Sequence, residues 1–577
     1  MVRSSVWRWK TSSNVFSSSN YHTTRRLLRC KNKAASSSPV SLFRLSESSG
    51  PYHVRFFSSS TKSSKERLRV AVVGGGAAGL STALHLAPLV TEGLISGPID
   101  IYDSQERPSH RDIGVGIWST ALDAFQKDTL DSHRLAVDDM LRKGTFVHEA
   151  GYRTPQGDWL AESNLEGEGL PDLLFLREMD MLDALRKAVH LEVNRGNVVL
   201  HSGSHYKVDS IMEDATTEPW SAPLMLLRDG PDQPSVPTER DYHLIVAADG
   251  MNSVLRTAYG GFNIQSRILT GMYAMDDAVK SRGSARTNAR DEWAISNQAD
   301  ATGIQDRNYS VFRGNAPVTR NEVQGLDRSF QTWGEGRNMR FATVPMCYPG
   351  KDGVKEERHV WFITIDDDTI TSETDPSKRK ELLLEAFADW HDPIGQLVTA
   401  TPPQEILMER ALAHRHSQQP VVDFYGLINK VYKKSIPAIG QGPAIQYVGD
   451  AFLTVDPILA QGFTVGMEGA ATLANALESC LTVDAQHHFD SKLAFDPYLL
   501  RKELMLRHDS RLHRLICLLR ITELVQALGQ PISGTLAGMI SRDIIRPIMK
   551  LSPNFIKTPI FNAVLQYSLG LPPTKRG

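Results

Sequence analysis

Three observations predict an α/β fold for this 577-residue chain. An apolar strand starting near Leu68 runs straight into Gly74-Gly75-Gly76-Ala77-Ala78-Gly79 and then into a helical pattern. Strands and helices alternate to about Tyr259, after which the chain turns strand-rich from Leu269 to about Ile370, with a charged helix at Ser377–Trp390. A strand, a turn and a helix return at Gln446–Leu481. Together they predict a Rossmann-like domain interrupted by a mixed β-sheet domain, followed by a helical C-terminal tail.

Each glycine of the first motif has a physical task. Gly74 permits the tight strand-to-helix turn, Gly76 lets a ligand approach the backbone, and Gly79 lets the helix sit close to the sheet. The helix N-terminus offers free N–H groups and a positive dipole end to a pyrophosphate. Such a turn also occurs where nothing binds, so its surroundings matter. A second strand, IDIYD, ends in Asp103 roughly 20–25 residues after the last glycine, where a carboxylate can accept from a ribose hydroxyl. The motif predicts dinucleotide binding.

Two later stretches narrow the ligand. DYHLIVAADGMNSVLR carries Asp249-Gly250, Ser253 and Arg256 after a strand, and YVGDAFLTVDPILAQGFTVGMEGA carries Asp450, Pro457 and Gln461-Gly462 before a helix. At these residues the chain resembles the class A flavoprotein monooxygenases, the p-hydroxybenzoate hydroxylase-like family. TWGEGRNMRFATVPM at 332–346 and FADWHDPIGQLVTATP at 387–402 look like its salicylate hydroxylase and zeaxanthin epoxidase branch, and GVGIWSTAL at 114–122 adds to the likeness.

The resemblance implies FAD. It assigns the motif residues Gly74, Gly76, Ala78 and Gly79, with Asp103, to the ADP half of the cofactor, and places Arg177 of LREMDMLDAL against its phosphates and ribose. Asp249 and Gly250 would lie near the pyrophosphate and the approach of NAD(P)H. Asp450 would bind the ribityl chain, and the loop from Pro457 through Gln461, Gly462 and Phe463 to Thr464 would lie along the flavin ring. The helix after Phe463 would aim its N-terminus at the pyrimidine edge. The chain departs from the family pattern at Leu453, Ala460, Thr464 and Gly469.

Under this reading residues 67–266 and 431–495 form the FAD-binding domain, 267–430 the substrate domain and 496–577 a helical region. Residues 213–240 carry Pro219, Pro223, Pro231, Pro234 and Pro237, which read as a long surface excursion without helix or central strand. The tail is apolar-rich but interrupted by charges such as Arg514, Arg520, Glu523, Arg542 and Asp543, so no run is long enough to span a membrane. Two readings stay open for it: helices covering the fold or a partner, and a peripheral membrane contact.

Residues 1–57 hold ten Lys/Arg against one acid, Glu47, and many serines, the composition of an organelle transit peptide. Arg55-Phe56-Phe57-Ser58 resembles a mitochondrial processing site, and plastid import is the alternative. A net charge of −2 without a basic block gives no reason to expect nucleic acid. Cys30, Cys347, Cys480 and Cys517 are too scattered for a disulfide frame or a Cys-x-x-Cys metal site, and His414 and His416 have poor ligand spacing, so no metal is expected.

The reaction implied is that of an NAD(P)H-using monooxygenase. One oxygen atom from O2 would enter a small aromatic or unsaturated, largely apolar substrate through a C4a-hydroperoxyflavin. A flavin dehydrogenase of related fold and a flavin-binding protein without turnover are the alternatives. No substrate base stands out: Tyr273, Tyr348 and His391 are candidates, each equally readable as packing or surface.

Overall fold

The computed structural model describes residues 65–106, 113–126, 130–212, 220–228, 234–259, 304–334, 336, 338–349, 355–414, 442–484, 493–529 and 536–571. The leader and Tyr273 lie outside the described residues. Strand β1 (Leu68–Val73) is apolar at every position but Arg69, the pattern of a strand covered on both faces. It occupies the middle of a five-stranded parallel sheet, flanked by β2 (Ile95–Asp103) and by Leu244–Ala247, with Val198–Ser202 and Ala444–Tyr447 at the edges. Helix α1 (Ala77–Thr91) and helices Glu178–Asn194 and Gly462–Asp484 share one apolar core with this sheet. The other face is covered by a three-stranded antiparallel sheet and by Leu515, Leu518 and Leu519 of helix Pro497–Gly529.

The second sheet has seven strands in the order 407–414, 304–316, 355–365, 340–349, 329–333, 149–153 and 159–164. All its pairings are antiparallel except that of Ser329–Trp333 with Glu149–Arg153, which is the mixed character expected. Its last two strands come from within the 67–266 segment, because hydrogen bonds from Glu149–Arg153 to Ser329–Trp333 tie them to this sheet and none ties them to the parallel one. The charged helix runs over Pro376–Ala386, capped by Asp375, whose side chain accepts from the Ser377 N–H.

The proline-rich stretch requires a correction. Ala222–Leu226 and Val236–Tyr242 are strands of the three-stranded sheet, and the first is its central one. Pro223 is tolerated there because the register shifts between Pro223 and Met225, and the Leu224 N–H donates to the Thr238 hydroxyl instead of the ladder.

His243 joins two central strands: its Nδ1 accepts the Arg69 N–H at 3.1 Å, which requires the neutral ring. Burial, with Arg69 nearby, lowers its pKa from 6.5 to about 3. The folded value lies below the unfolded one, so its contribution to stability is complete above pH 6.5 and drains away as the pH falls toward 3. Between pH 7 and pH 5 that loss is about 2 kcal/mol. Thermal melts across this range should show a shallower acid decline for His243→Gln than for the native chain, and parallel declines would contradict the assignment.

Candidate flavin site

The strand-to-helix turn after β1 is built without side chains. Gly74 has φ of +110°, and a Cβ there would sit 2.3 Å from the Ala248 carbonyl oxygen. A Cβ on Gly79 would sit 1.9 Å from the Gly74 oxygen. Gly75 is also constrained, by a side chain and not by backbone, because a Cβ would lie 2.2 Å from the Asp103 carboxylate. Gly76 differs: its Cβ would meet nothing within 4 Å. Gly76 is the N-cap of α1 and no side chain caps that helix, which leaves its first N–H groups without a side-chain acceptor.

The three sequence motifs converge on this turn. Ala248 hydrogen-bonds to Val73 at 2.7 Å, and the Asp249 backbone lies against Gly74. Gly250 has φ of +82° and open space around it. From the third motif, Gly449 at φ +60° leaves room for Ala78, whose Cβ would be 2.7 Å from a Cβ on Gly449, and Gly466 of helix Gly462–Asp484 lies against the same Ala78. The N-terminal ends of α1 and of helix Gly462–Asp484 therefore meet through small residues alone.

Charged groups fix the arrangement. Asp103, at the end of β2, accepts from Arg186 at 2.8 Å and from the Gln105 N–H at 3.2 Å. Desolvation raises its pKa, and Gln105 and Arg186 offset part of the rise. Asp249 accepts from the Val254 N–H at 2.9 Å, starting helix Val254–Tyr259, and burial raises its pKa as well. Arg256 from the same helix donates to the carbonyls of Asp450 and Ala451 at 2.8 and 3.1 Å, and to that of Met251. It clamps the second motif to the third. Asp450 is pushed up to about 6 by the surrounding protein, with Arg256 pulling it down, although its exposure to solvent weakens that push.

The loop of the third motif is held from several directions. Asp456 caps the short turn Pro457–Leu459 by accepting from the Ile458 N–H at 3.0 Å, and its two oxygens also take Tyr309 at 2.7 Å and Arg307 at 2.9 Å from the second sheet. Ala460 adopts a left-handed φ of +50°. Its side chain meets Gly116 of strand Gly114–Trp118, since a Cβ there would be 3.4 Å from it. Thr464 takes the Trp118 N–H at 3.0 Å, which explains a hydroxyl at that position. Leu453 is buried in the core beneath. Phe463 lies half-buried against the main core, and Gly462 opens the helix.

Gln461 is buried, and both ends of its side-chain amide make hydrogen bonds inside the protein. Its amide donates to the Ser568 hydroxyl at 2.9 Å and accepts from Arg514 at 2.7 Å, which ties the loop to the C-terminal helices. Arg514 also donates to the Ser568 carbonyl and lies 3.4 Å from Glu468, which accepts from Thr120. Arg177 ends strand Leu173–Arg177, bonds to Asp180 and stacks over Tyr348 with 5.2 Å to the ring centre, at the seam with the second sheet. Both nitrogens of His391 are used, by the Thr332 hydroxyl and the Asp392 carbonyl, and burial lowers its pKa. Arg177 and Arg358 both lie over the Tyr348 ring.

No protein-family model matches the chain. HpxO of Klebsiella pneumoniae, solved with FAD and uric acid, is similar at a TM-score of 0.54 and 16% identity, covering 88% of this chain and 97% of its own. The 2,6-dihydroxypyridine-3-hydroxylase of Arthrobacter nicotinovorans is similar at a TM-score of 0.50 and 14% identity, covering 82% and 96%. The fold is that of the FAD-dependent monooxygenases. Among curated proteins, the aurachin C monooxygenase/isomerase of Stigmatella aurantiaca is 28% identical over 180 residues, 31% of this chain. That match spans 37% of the relative's length.

The residues present fit FAD. The open space at Gly76, the uncapped N-terminus of α1 and the Asp103 carboxylate supply an approach, anion donors and an acceptor in the order that an ADP group needs. Gly76→Val should therefore fold normally yet purify without yellow colour, with the melting temperature of flavin-free native protein. Gly79→Val should instead lose ~3 kcal/mol or more, because its Cβ meets a backbone carbonyl. Full flavin content in Gly76→Val would place the cofactor elsewhere.

Proposed function

We propose that the chain is an FAD-dependent, NAD(P)H-using monooxygenase that transfers one oxygen atom from O2 to a small aromatic or unsaturated, largely apolar substrate. The observation that carries the reading is the meeting of Gly74, Ala78, Asp249, Gly449 and Gly466 around the open face of Gly76. The leader composition supports import into mitochondria, with plastids as the alternative address.

Bound FAD, reduced by NAD(P)H, would supply the activation of O2. The protein's share is binding, orientation and exclusion of water. The N–H groups at the start of α1 would hold the pyrophosphate, and Asp103, itself steadied by Arg186, would orient the ribose. Asp450, clamped through its backbone by Arg256, would bind the ribityl chain. Helix Gly462–Asp484 has no acidic residue in its first turn, so its positive end is left to offset negative charge on the ring. In this reading Arg177 would lie against the phosphates and ribose, and Asp249 and Gly250 near the pyrophosphate and the approach of NAD(P)H.

Leu453, Ala460 and Thr464, which raised the alternative of a flavin protein without turnover, each have a packing or hydrogen-bonding role that leaves the loop intact. A single experiment separates the three readings. The full chain, loaded with FAD, is mixed with NADH or NADPH under labelled O2 and a panel of aromatic and polyunsaturated compounds. A monooxygenase places one labelled atom in a product and one in water. Flavin reduction without labelled product would indicate a dehydrogenase, and absence of reduction a binding protein.

A further inference from the structure

Arg340 carries a buried charge with no partner of its own. It opens strand Arg340–Pro349 and is 5% exposed, and among the described residues its guanidinium makes no hydrogen bond or ion pair, with Nη1 shut away from solvent. The carboxylate that acts on it is Asp456, which is already taken by Arg307 at 2.9 Å and by the Tyr309 hydroxyl at 2.7 Å. Tyr309 and Tyr152 are its other electrostatic neighbours. Both stay neutral at pH 7, because burial raises the Tyr309 hydroxyl well above its usual 10 and pushes that of Tyr152 up to about 12. Two buried arginines thus share one carboxylate. An arginine cannot shed its proton, and an unmatched buried charge is strongly unfavourable, so the missing partner is negative.

The surroundings of Arg340 suit an apolar body. Strand pairing sets it opposite Trp333 and Thr364, and sets Ala342, next on the same face, opposite Gln331 and Phe362. Phe341 points to the other face, into the core shared with helices Pro376–Ala386 and Ile394–Ala400. The face of Arg340 instead meets the loop of the third motif and the C-terminal helices: Trp333 packs with Ile458, Ile521 and Val525, and Val344 and Phe362 lie in one cluster with Ala460 and Phe561. Val344, Phe362, Ala460 and Phe561 keep part of their surface accessible, and the small Ala342 fills little of the space between Arg340 and Val344. This layer is apolar, incompletely filled and positively charged at one end.

We propose that Arg340 binds an anionic oxygen of the substrate, which makes the substrate an aromatic or unsaturated compound with a carboxylate or phenolate at one end and its apolar body along Ala342, Val344 and Phe362. A body laid on this floor runs under Ala460, on the loop expected to lie along the flavin ring. That the bound molecule is a substrate rests on the proposed function. The anion site itself rests on Arg340 and the layer beside it.

Equilibrium dialysis of the full chain against aromatic carboxylates from benzoate to anthracene-2-carboxylate, each paired with its neutral alcohol, tests the site. At least one carboxylate should bind about tenfold more tightly than its alcohol, as a hydrogen bond to a charged group gives. Arg340→Met should weaken that carboxylate about tenfold and leave the alcohol within about twofold, and Arg340→Lys should restore part of the preference. Arg134→Met, which removes an exposed arginine from helix Asp131–Lys143, should change neither. Bound 2-naphthol should ionise at a lower pH than the free compound, and Arg340→Met should abolish the difference, a readout that a merely structural arginine would not move.

Arg340→Met should also melt no lower than the native chain, since it removes a buried charge that has no partner. No carboxylate preferred over its alcohol, a preference that survives Arg340→Met, or a lower melting temperature for that variant would overturn the proposal. Flavin content and flavin reduction by NAD(P)H, read on the same samples, keep the two readings apart. Anion binding at Arg340 without flavin reduction would uphold the site and sink the monooxygenase, and normal reduction without anion preference would do the reverse.

Discussion

The structure depends on one close approach, that of two helix N-termini across a junction with almost no side chains. Gly74, Gly79, Gly449 and Gly466 each leave a position where a Cβ would crowd backbone or the Ala78 side chain. Removing side chains at this point brings backbone N–H groups and two positive dipole ends to the same small volume. A glycine loses more entropy on folding than other residues and contributes no packing, so concentrating it here is unfavourable locally. The compensation lies in the core beneath, where α1 and helices Glu178–Asn194 and Gly462–Asp484 bury a continuous apolar face against the parallel sheet. The rigid sheet fixes the strand ends, and the strand ends fix the turn.

Around the junction, buried charges act as fasteners between segments distant in sequence. Arg256 reaches 194 residues along the chain to the Asp450 carbonyl, and Arg307 reaches 149 residues to Asp456. Hydrogen bonds to charged groups contribute about 1.5–3 kcal/mol each, whereas deleting one partner of a buried ion pair costs about 3–5 kcal/mol because the other charge stays behind unmatched. The asymmetry makes these arginines weak sources of net stability but strong determinants of geometry. Asp456 shows the principle: it is at once the cap of the Pro457–Leu459 turn and the acceptor for two side chains of the second sheet, so the loop cannot move without disturbing that sheet.

The parts of this arrangement that were legible in the sequence are those governed by local backbone demands. Gly74 and Gly79 are fixed by the turn and by helix contact, and Asp249-Gly250 by a strand end, so their spacing betrays them. The role of Gly75 was hidden because its constraint is the Asp103 side chain, 28 positions away, and Arg186 was hidden for a similar reason. Gln461 lies between the Pro457–Leu459 turn and helix Gly462–Asp484, and its side-chain partners Arg514 and Ser568 are 53 and 107 residues downstream with no motif around them. Pro223 misled in the opposite direction: a proline argues against a central strand until a register shift relieves it of its missing donor.

Gln461 also changes what the C-terminal region is. Its amide satisfies the Ser568 hydroxyl and Arg514, and Arg514 in turn donates to the Ser568 carbonyl, so two tail helices and the loop share one buried polar knot. Such a knot costs desolvation that its bonds roughly repay only when every member is present. Displacement of the last helix would strand a buried arginine and a buried amide together, at a cost of several kcal/mol, so loop and tail must keep their relative positions. The tail is therefore a structural part of the candidate site and not an appendage to it. An outward face that is apolar on an element so firmly tied to the loop links whatever that face meets to the candidate site.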